Sequence, residues 1–423
     1  MPMRIFHVSD LHLGSTAVNT ISRITGRNIT IQDSLDSLDM IIQKAIETDS
    51  DGNSYCDLLV ITGDTFHKKN PSPTIQSLFA ERLRTLIERG IQVVILLGNH
   101  DLPIGDLLRN PLDQYDKLQI ANCYIISKPG LKTIQTRRGD IQVLGIPWIS
   151  HRKFIKSEID RPLSEKEWQE SLIEHYRSLM KQFLKEADES KPLLFAGHLS
   201  VLGAIKGSEK DLSFASEPFF DAKQLADQRL WYGALGHFHK HQAVHENPPL
   251  VYAGSVQRTD FCEEMEEKGY VEVEFDPSNQ KTSWRFSSLP ARNYKTVSIQ
   301  LPVKEAASDV LTDFIREKIQ SVEITDCIIR VTINGEPDQI KIIDEKAIKA
   351  LLTEAYYIYE IRYETSTDLT RLRAPGLSRE SPIDEVIRMY LTTRSFDTER
   401  QQELYDFTRA FIQDQVKNGK FDL

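Results

Sequence analysis

Short, wholly apolar runs alternate with amphipathic stretches through the first two-thirds of the chain. Residues 5–9, 58–62 and 93–97 predict strands. Residues 31–47 and 74–88, with apolar positions recurring at helical spacing, predict the helices between them. Fully apolar strands alternating with helices point to a parallel sheet covered on both faces. Further strands are expected at 124–126, 142–146, 193–196, 232–235 and 250–252, and a helix at 165–187. These later strands are not separated by long helices, which suggests a second or mixed sheet. The expected fold is an α/β two-sheet sandwich flanked by helices, filling residues 1–290 and closed by turn signals at 276–279 and 289–290.

The pattern then becomes strand, helix, strand, helix, strand, with elements at 296–299, 308–319, 327–331, 345–355 and 359–363. This predicts a small α+β domain over residues 291–365. A Thr/Arg/Pro/Gly-rich linker, 366–381, leads to a helical tail at 382–418, with helices at 382–392 and from 397 to about 417. Short helices carrying this much apolar surface need something to dock on.

Composition narrows the class. The 423 residues are 40% hydrophobic and 27% charged, as in a folded protein rather than a disordered one. Against 52 Lys and Arg stand 62 Asp and Glu, a net charge of -10, so a global positive excess cannot be what holds nucleic acid. A local basic groove stays open. Four cysteines make no disulfide scaffold and no CxxC pair, and no long apolar span or signal peptide is apparent. A reducing, cytoplasmic location without a membrane is expected.

The candidate chemistry sits at the strand ends. Asp10-Leu11-His12, Gly63-Asp64, Gly98-Asn99-His100-Asp101, Gly197-His198 and Gly236-His237-Phe238-His239 each follow an apolar strand. In open α/β sheets the loops beyond the carboxyl ends of strands converge on a ligand site. Five of the 11 histidines fall in these five motifs. Asp10, His12, Asp64, Asn99, His198, His237 and His239 are too many ligands for one ion, and fit two ions about 3.5–4 Å apart sharing a carboxylate. Mixed carboxylate and imidazole donors suit Mn²⁺, Fe²⁺ or Zn²⁺. Such a pair polarises a phosphoryl oxygen and activates water for in-line attack.

The strings from His7 to Gly14, Gly63-Asp64-Thr65-Phe66-His67, Gly98-Asn99-His100-Asp101, Gly197-His198, Gly236-His237-Phe238-His239 and Tyr252-Ala253-Gly254-Ser255 resemble the calcineurin-like metallophosphoesterase superfamily. Within it the chain resembles the SbcD family, nuclease subunits of a double-strand-break repair complex. The resemblance implies that Asp10, His12, Asp64 and His239 hold one metal and that Asp64, Asn99, His198 and His237 hold the other. Mn²⁺ is the expected ion, with Mg²⁺, Fe²⁺ and Zn²⁺ as alternatives. His100 resembles the histidine that contacts the scissile phosphate, Asp101 a residue that orients it or a ligand, and His67 one that positions the DNA strand. Many bacterial members have an aspartate at the last position. The implied function is Mn²⁺-dependent exonuclease and endonuclease cleavage of double- and single-stranded DNA. The partner would be an SbcC-like coiled-coil ATPase docked on the tail, in a heterotetramer built on a homodimer. The small domain would act as a cap.

The rivals are a phosphoesterase for small phosphodiesters or monoesters, and a non-catalytic DNA-end scaffold. Outside the series, His7 is expected in the core and His241 at a rim. The cluster His151, Arg152, Lys153 and Lys156, and the pair Lys68-Lys69, are candidates for phosphate contacts. The acidic run Glu263-Glu264-Met265-Glu266-Glu267 is expected away from any DNA groove, because it would repel the backbone.

Overall fold

In the computed structural model, residues 2–22, 24–49, 52–103, 109–148, 164–205, 217–302, 307–365, 391 and 398–417 are described. The basic cluster at 151–156, the 366–381 linker and, but for Leu391, the 382–392 helix lie outside them. The chain divides into two compact units: Met1–Lys295 with Asp326–Ile328, and Thr296–Thr325 with Ile329–Leu423.

The first unit holds two six-stranded sheets. One runs Lys281–Ser288, Gly269–Asp276, Met3–Val8, Leu58–Ile61, Gln92–Leu96 and Cys123–Ile126. Its last four strands are mutually parallel, and Gly269–Asp276 joins Met3–Val8 antiparallel. The other runs Gln242–Glu246, Pro249–Tyr252, Tyr232–Gly236, Leu193–His198, Gly139–Ile146 and Gly130–Thr136. It is parallel at its centre and antiparallel at both ends. Sequence pattern located the central strands. It left out Gly130–Thr136, Gln242–Glu246 and the Gly269–Asp276/Lys281–Ser288 hairpin, whose turn is the 276–279 signal.

Side-chain alternation explains why the central strands are wholly apolar. Ile5, Leu58, Val60, Val94 and Leu96 point between the sheets and meet Val143, Leu194, Ala196 and Ala234. Their neighbours Phe6, Val8, Leu59, Ile61, Val93 and Ile95 point outward, against helices Ile29–Ile46 and Pro73–Glu88. The outer face of the second sheet packs on helix Glu165–Glu186 through Trp168, Leu172, Tyr176 and Met180. The helices start where caps permit. Asn28 and Ser72 accept from the amides of Thr30 and Ile75, and Ser164 forms a capping box with Glu167. The first unit is therefore a helix–sheet–sheet–helix sandwich.

Strands Tyr294–Gln300, Ile328–Gly335 and Tyr357–Thr365, which lie in the second unit but for Tyr294, Lys295 and Ile328, form a three-stranded sheet. Helix Ser308–Gln320 buries Leu311, Ile315 and Ile319 in a core shared with Val331, Ile333 and Ile348. A C-terminal helix spans Thr398–Lys417, and its Tyr405 packs with Leu391 and Leu404. No helix among the described residues is long and apolar enough to cross a membrane.

Candidate metal centre

The parallel strands of both sheets deliver their carboxyl ends to one place. Four of the residues that arrive there have left-handed backbones: Asp10 (φ 49°), His12 (φ 43°), Asp64 (φ 49°) and His237 (φ 106°). Such conformations cost about 1–3 kcal/mol each and persist only where the surroundings over-determine them. Here they are held by bonds between the loops. Asp10 N donates to Gly63 O, His12 N to Asp64 O, Leu13 N to Thr65 O, and His67 N to Leu13 O. Two glycines make the close approach possible. A Cβ on Gly63 would lie 2.2 Å from His198 Nδ1, and one on Gly98 would lie 2.0 Å from Asp64 Oδ1.

All seven predicted ligands meet. Asp10, His12 and His239 form one buried group, and Asp10, Asp64 and His198 another. His12 Nε2 lies 3.0 Å from His239 Nε2 and 3.7 Å from Asp64 Oδ2. On the other side of that carboxylate, His198 Nε2 lies 3.6 Å from Asp64 Oδ1 and 2.9 Å from Asn99 Oδ1, which is 3.2 Å from His237 Nδ1. Two ligand atoms at right angles, each about 2.1 Å from an ion, are separated by about 3.0 Å, so both close pairs have the spacing of ligand edges. Asp10 Oδ2 accepts from Ser9 Oγ and His237 N, while its buried Oδ1 has no hydrogen-bond partner. The donor set thus fits two divalent ions with Asp64 between them.

The electrostatics agree. Burial, with Asp10 and Asp101 nearby, pushes the Asp64 carboxyl well above the usual range. Burial raises Asp10 too. Burial and neighbouring imidazoles hold His12 and His198 well below the usual histidine value. Neutral imidazoles are the metal-binding form, and nearby cations would favour the ionised form of both carboxylates.

His67 and His100 stand against this group with their rings stacked at 5.4 Å, and with His12 they form a third cluster. The His100 backbone N–H donates to Asp64 Oδ1 at 2.8 Å. Its Nδ1 lies 2.7 Å from the His67 carbonyl, so the proton sits on Nδ1 and Nε2 is left as the reactive nitrogen. Burial lowers the pKa of His100, and burial with His100 alongside brings His67 down to about 4. Asp101 is fully buried. It accepts from the amides of Gly98, Thr65 and Phe66, joining the Asp64 loop to the Asn99-His100 loop. Burial moves its pKa up to about 6.

His7 is a core residue between Tyr232 and Thr62, and His241 stacks on Phe286 with Nδ1 on the Tyr252 carbonyl. Lys68 and Lys69 are exposed beside His67. One member of the acidic run reaches the metal ligands from inside the protein. Glu263 is buried, with Oε1 2.8 Å from His239 Nδ1 and Oε2 2.7 Å from Lys268 Nζ. Burial would raise its carboxyl, but His239 and Lys268 hold it well below the usual range. Pattern gave no sign of this, because one buried acid in a run of four looks like a solvated face. Glu217, 2.9 Å from His237, and Trp148, whose ring lies 5.1 Å from that of His237, went unnoticed for the same reason: only tertiary folding brings them in.

Together, the sandwich and the clustered Asp and His ligands have the features of a metal-dependent phosphoesterase. Residues 3–240 match the calcineurin-like phosphoesterase family model, and the chain belongs to that family. Relatives include the D component of the nuclease SbcCD from Bacillus subtilis, 25% identical over 66% of this chain and 68% of that protein. Its counterpart from Escherichia coli K12 is 27% identical over 60% of each. The DNA double-strand break repair protein Mre11 of Haloferax volcanii is 22% identical over 97% of this chain and 82% of its own length. The matched regions span 68% and 60% of the lengths of the two bacterial relatives.

Proposed function

We propose that the chain is an Mn²⁺-dependent DNA nuclease subunit of the SbcD type, cleaving phosphodiester bonds in double- and single-stranded DNA. The observation that carries this reading is the complete ligand set with His100 beside the shared carboxylate Asp64. Two bound divalent ions would neutralise charge on the phosphodiester and supply a nucleophile from water at neutral pH. The protein's own part is positional. Asp10, His12, Asp64 and His239 would hold one ion, and Asp64, Asn99, His198 and His237 the other. The Asp101 bonds keep the Asp64 and Asn99 loops in register. His100, with Nδ1–H held by the His67 carbonyl, can carry a proton at Nε2 and pass it to the leaving oxygen. His67, next to exposed Lys68 and Lys69, would steer the strand.

The named activities of the relatives favour DNA over a small ester. The C-terminal helix, with Phe407 71% exposed, is assigned to docking on an SbcC-like coiled-coil ATPase. A homodimeric, cytoplasmic assembly belongs to the same reading. The net charge of -10 implies modest DNA affinity without the partner. The test is cleavage of end-labelled duplex and single-stranded DNA by the purified chain with Mn²⁺, beside His100→Ala. Cleavage by the wild type and its loss in the variant are expected. Hydrolysis of a small phosphodiester without any DNA cleavage would overturn the substrate assignment.

A further inference from the structure

His237 and His239 are two residues apart, where an extended chain would send both rings to the same side and to the same ion. The structure resolves this by presenting opposite nitrogens. His237 turns Nδ1 toward Asn99 Oδ1, at 3.2 Å, and its Nε2 lies 2.9 Å from Glu217 Oε1. His239 turns Nε2 toward His12, at 3.0 Å, and its Nδ1 lies 2.8 Å from Glu263 Oε1. All four side chains are less than one-tenth exposed.

We infer that Glu217 and Glu263 are positioning residues that assign the two histidines to different metal ions. Glu263 takes the Nδ1–H of His239, while Glu217 sets its carboxylate 2.9 Å from His237 Nε2 in an ion-pair contact outside hydrogen-bond geometry; a carboxylate on that side favours the proton there, fixes the tautomer, and leaves the opposite nitrogen as the ligand. Glu217 thereby commits His237 to the group with Asn99 and His198. Glu263 commits His239 to the group with Asp10 and His12. A carboxylate on the far nitrogen also makes the imidazole a stronger donor.

The two acids are anchored unequally. Glu263 also accepts from Thr259 Oγ1 at 2.7 Å and Thr259 N at 3.2 Å, and it pairs with Lys268. Lys268 reaches the His239 carbonyl at 3.1 Å and is held independently by Glu266 at 2.8 Å. Replacing Glu263 with Gln therefore leaves Lys268 with an acidic partner.

The inference rests on the two-ion site, not on DNA being the substrate. The test is Mn²⁺ titration of Glu217→Gln and Glu263→Gln by calorimetry, with electron paramagnetic resonance to separate spin-coupled ion pairs from single ions. Each variant should lose about 10–100-fold affinity at one site, keep the other, and exchange the coupled signal for a single-ion signal at intermediate Mn²⁺. Glu266→Gln, which touches Lys268 but not His239, should match the wild type. Thr259→Val carries the Glu263 arm if Glu263→Gln fails to fold, with a smaller loss at the same site. Nitrogen-15 spectra of the metal-free protein should show His237 protonated at Nε2 and His239 at Nδ1. Identical tautomers, or unchanged affinities at both sites in folded variants, would overturn the inference. A wild type that takes up only one Mn²⁺ would overturn the two-ion reading beneath it.

Discussion

Gly98→Ala probes how tightly the site is built. The added Cβ would lie 2.0 Å from Asp64 Oδ1 and 2.3 Å from the Asp64 backbone nitrogen. Moving the carboxylate oxygen out to 3.0 Å, the closest tolerable contact, requires a shift of about 1 Å. The backbone nitrogen cannot rotate away, so the two loops joined by Asp101 must also part. Asp64 Oδ1 would lose its 2.8 Å bond from His100 N. A displacement of about 1 Å at catalytic groups costs about 10²-fold in rate, or about 2.7 kcal/mol in barrier. Because Asp64 lies between both ligand groups, Mn²⁺ affinity should fall at both sites together, unlike the one-site losses expected for Glu217→Gln and Glu263→Gln. Turnover of a phosphodiester with saturating Mn²⁺, paired with circular dichroism to establish folding, is the assay. Gly130→Ala is the control, since its Cβ would meet only the Lys128 carbonyl at 3.9 Å. A folded Gly98→Ala protein with wild-type turnover would refute the placement of these loops.

Three further outcomes are expected. Burial pushes His7 down to about 3, so the folded state binds fewer protons there than the unfolded state, whose value is 6.5. The stability contributed is present above pH 6.5 and is lost as pH falls toward 3, at about 1.4 kcal/mol per pH unit, so denaturation of His7→Gln between pH 6.5 and 4 should show a slope lower by about one proton. Asp57, whose side chain is fully buried, pairs with Arg137 at 2.9 Å and Arg138 at 2.6 Å. Asp57→Ala should cost about 3 kcal/mol in urea unfolding while leaving Mn²⁺ stoichiometry unchanged. Removing metal with a chelator should lower the melting temperature, because ions at about 100 times their Kd add about 2.7 kcal/mol per site, and equal melting curves with and without Mn²⁺ would contradict the site.

What could be read from sequence follows from the range of the interactions. The central strands were legible because both their faces are buried, with Ile5, Leu58 and Val94 on one and Phe6, Leu59 and Val93 on the other, so each reads as a short apolar run between amphipathic helices. The seven candidate ligands were legible because each lies at or just past the end of such a strand. The edge hairpin Gly269–Asp276/Lys281–Ser288 was not, because its outer strand alternates exposed and half-buried residues such as Ser283, Trp284 and Arg285 and presents no apolar run. Glu217 and Glu263 were hidden for a deeper reason. Their partners lie 20 and 24 positions downstream and upstream, and acidic residues carry no periodic signal to tell a buried one from a solvated one.

The left-handed backbones at Asp10, His12, Asp64 and His237 connect these levels. Four such conformations together cost several kcal/mol, far more than any one loop could hold by itself. Each is instead fixed by a bond to another part of the site. Asp10 and His12 use the Asp64 loop, and the His237 amide uses Asp10 Oδ2 at 3.1 Å. The carboxylate that would hold an ion therefore also holds a backbone, and the loop carrying Asp64 is itself fastened to the Asn99 loop through Asp101. These ties are made by the protein's own groups, and ties of that kind lower the cost of ordering loops around an ion. The same interlock makes these residues interdependent: losing Asp10 would release the turn that aims His237, the residue proposed for the other ion. Asp10→Ala should accordingly weaken both Mn²⁺ sites in a calorimetric titration, and selective loss of one site would show that the loops hold their shape without it.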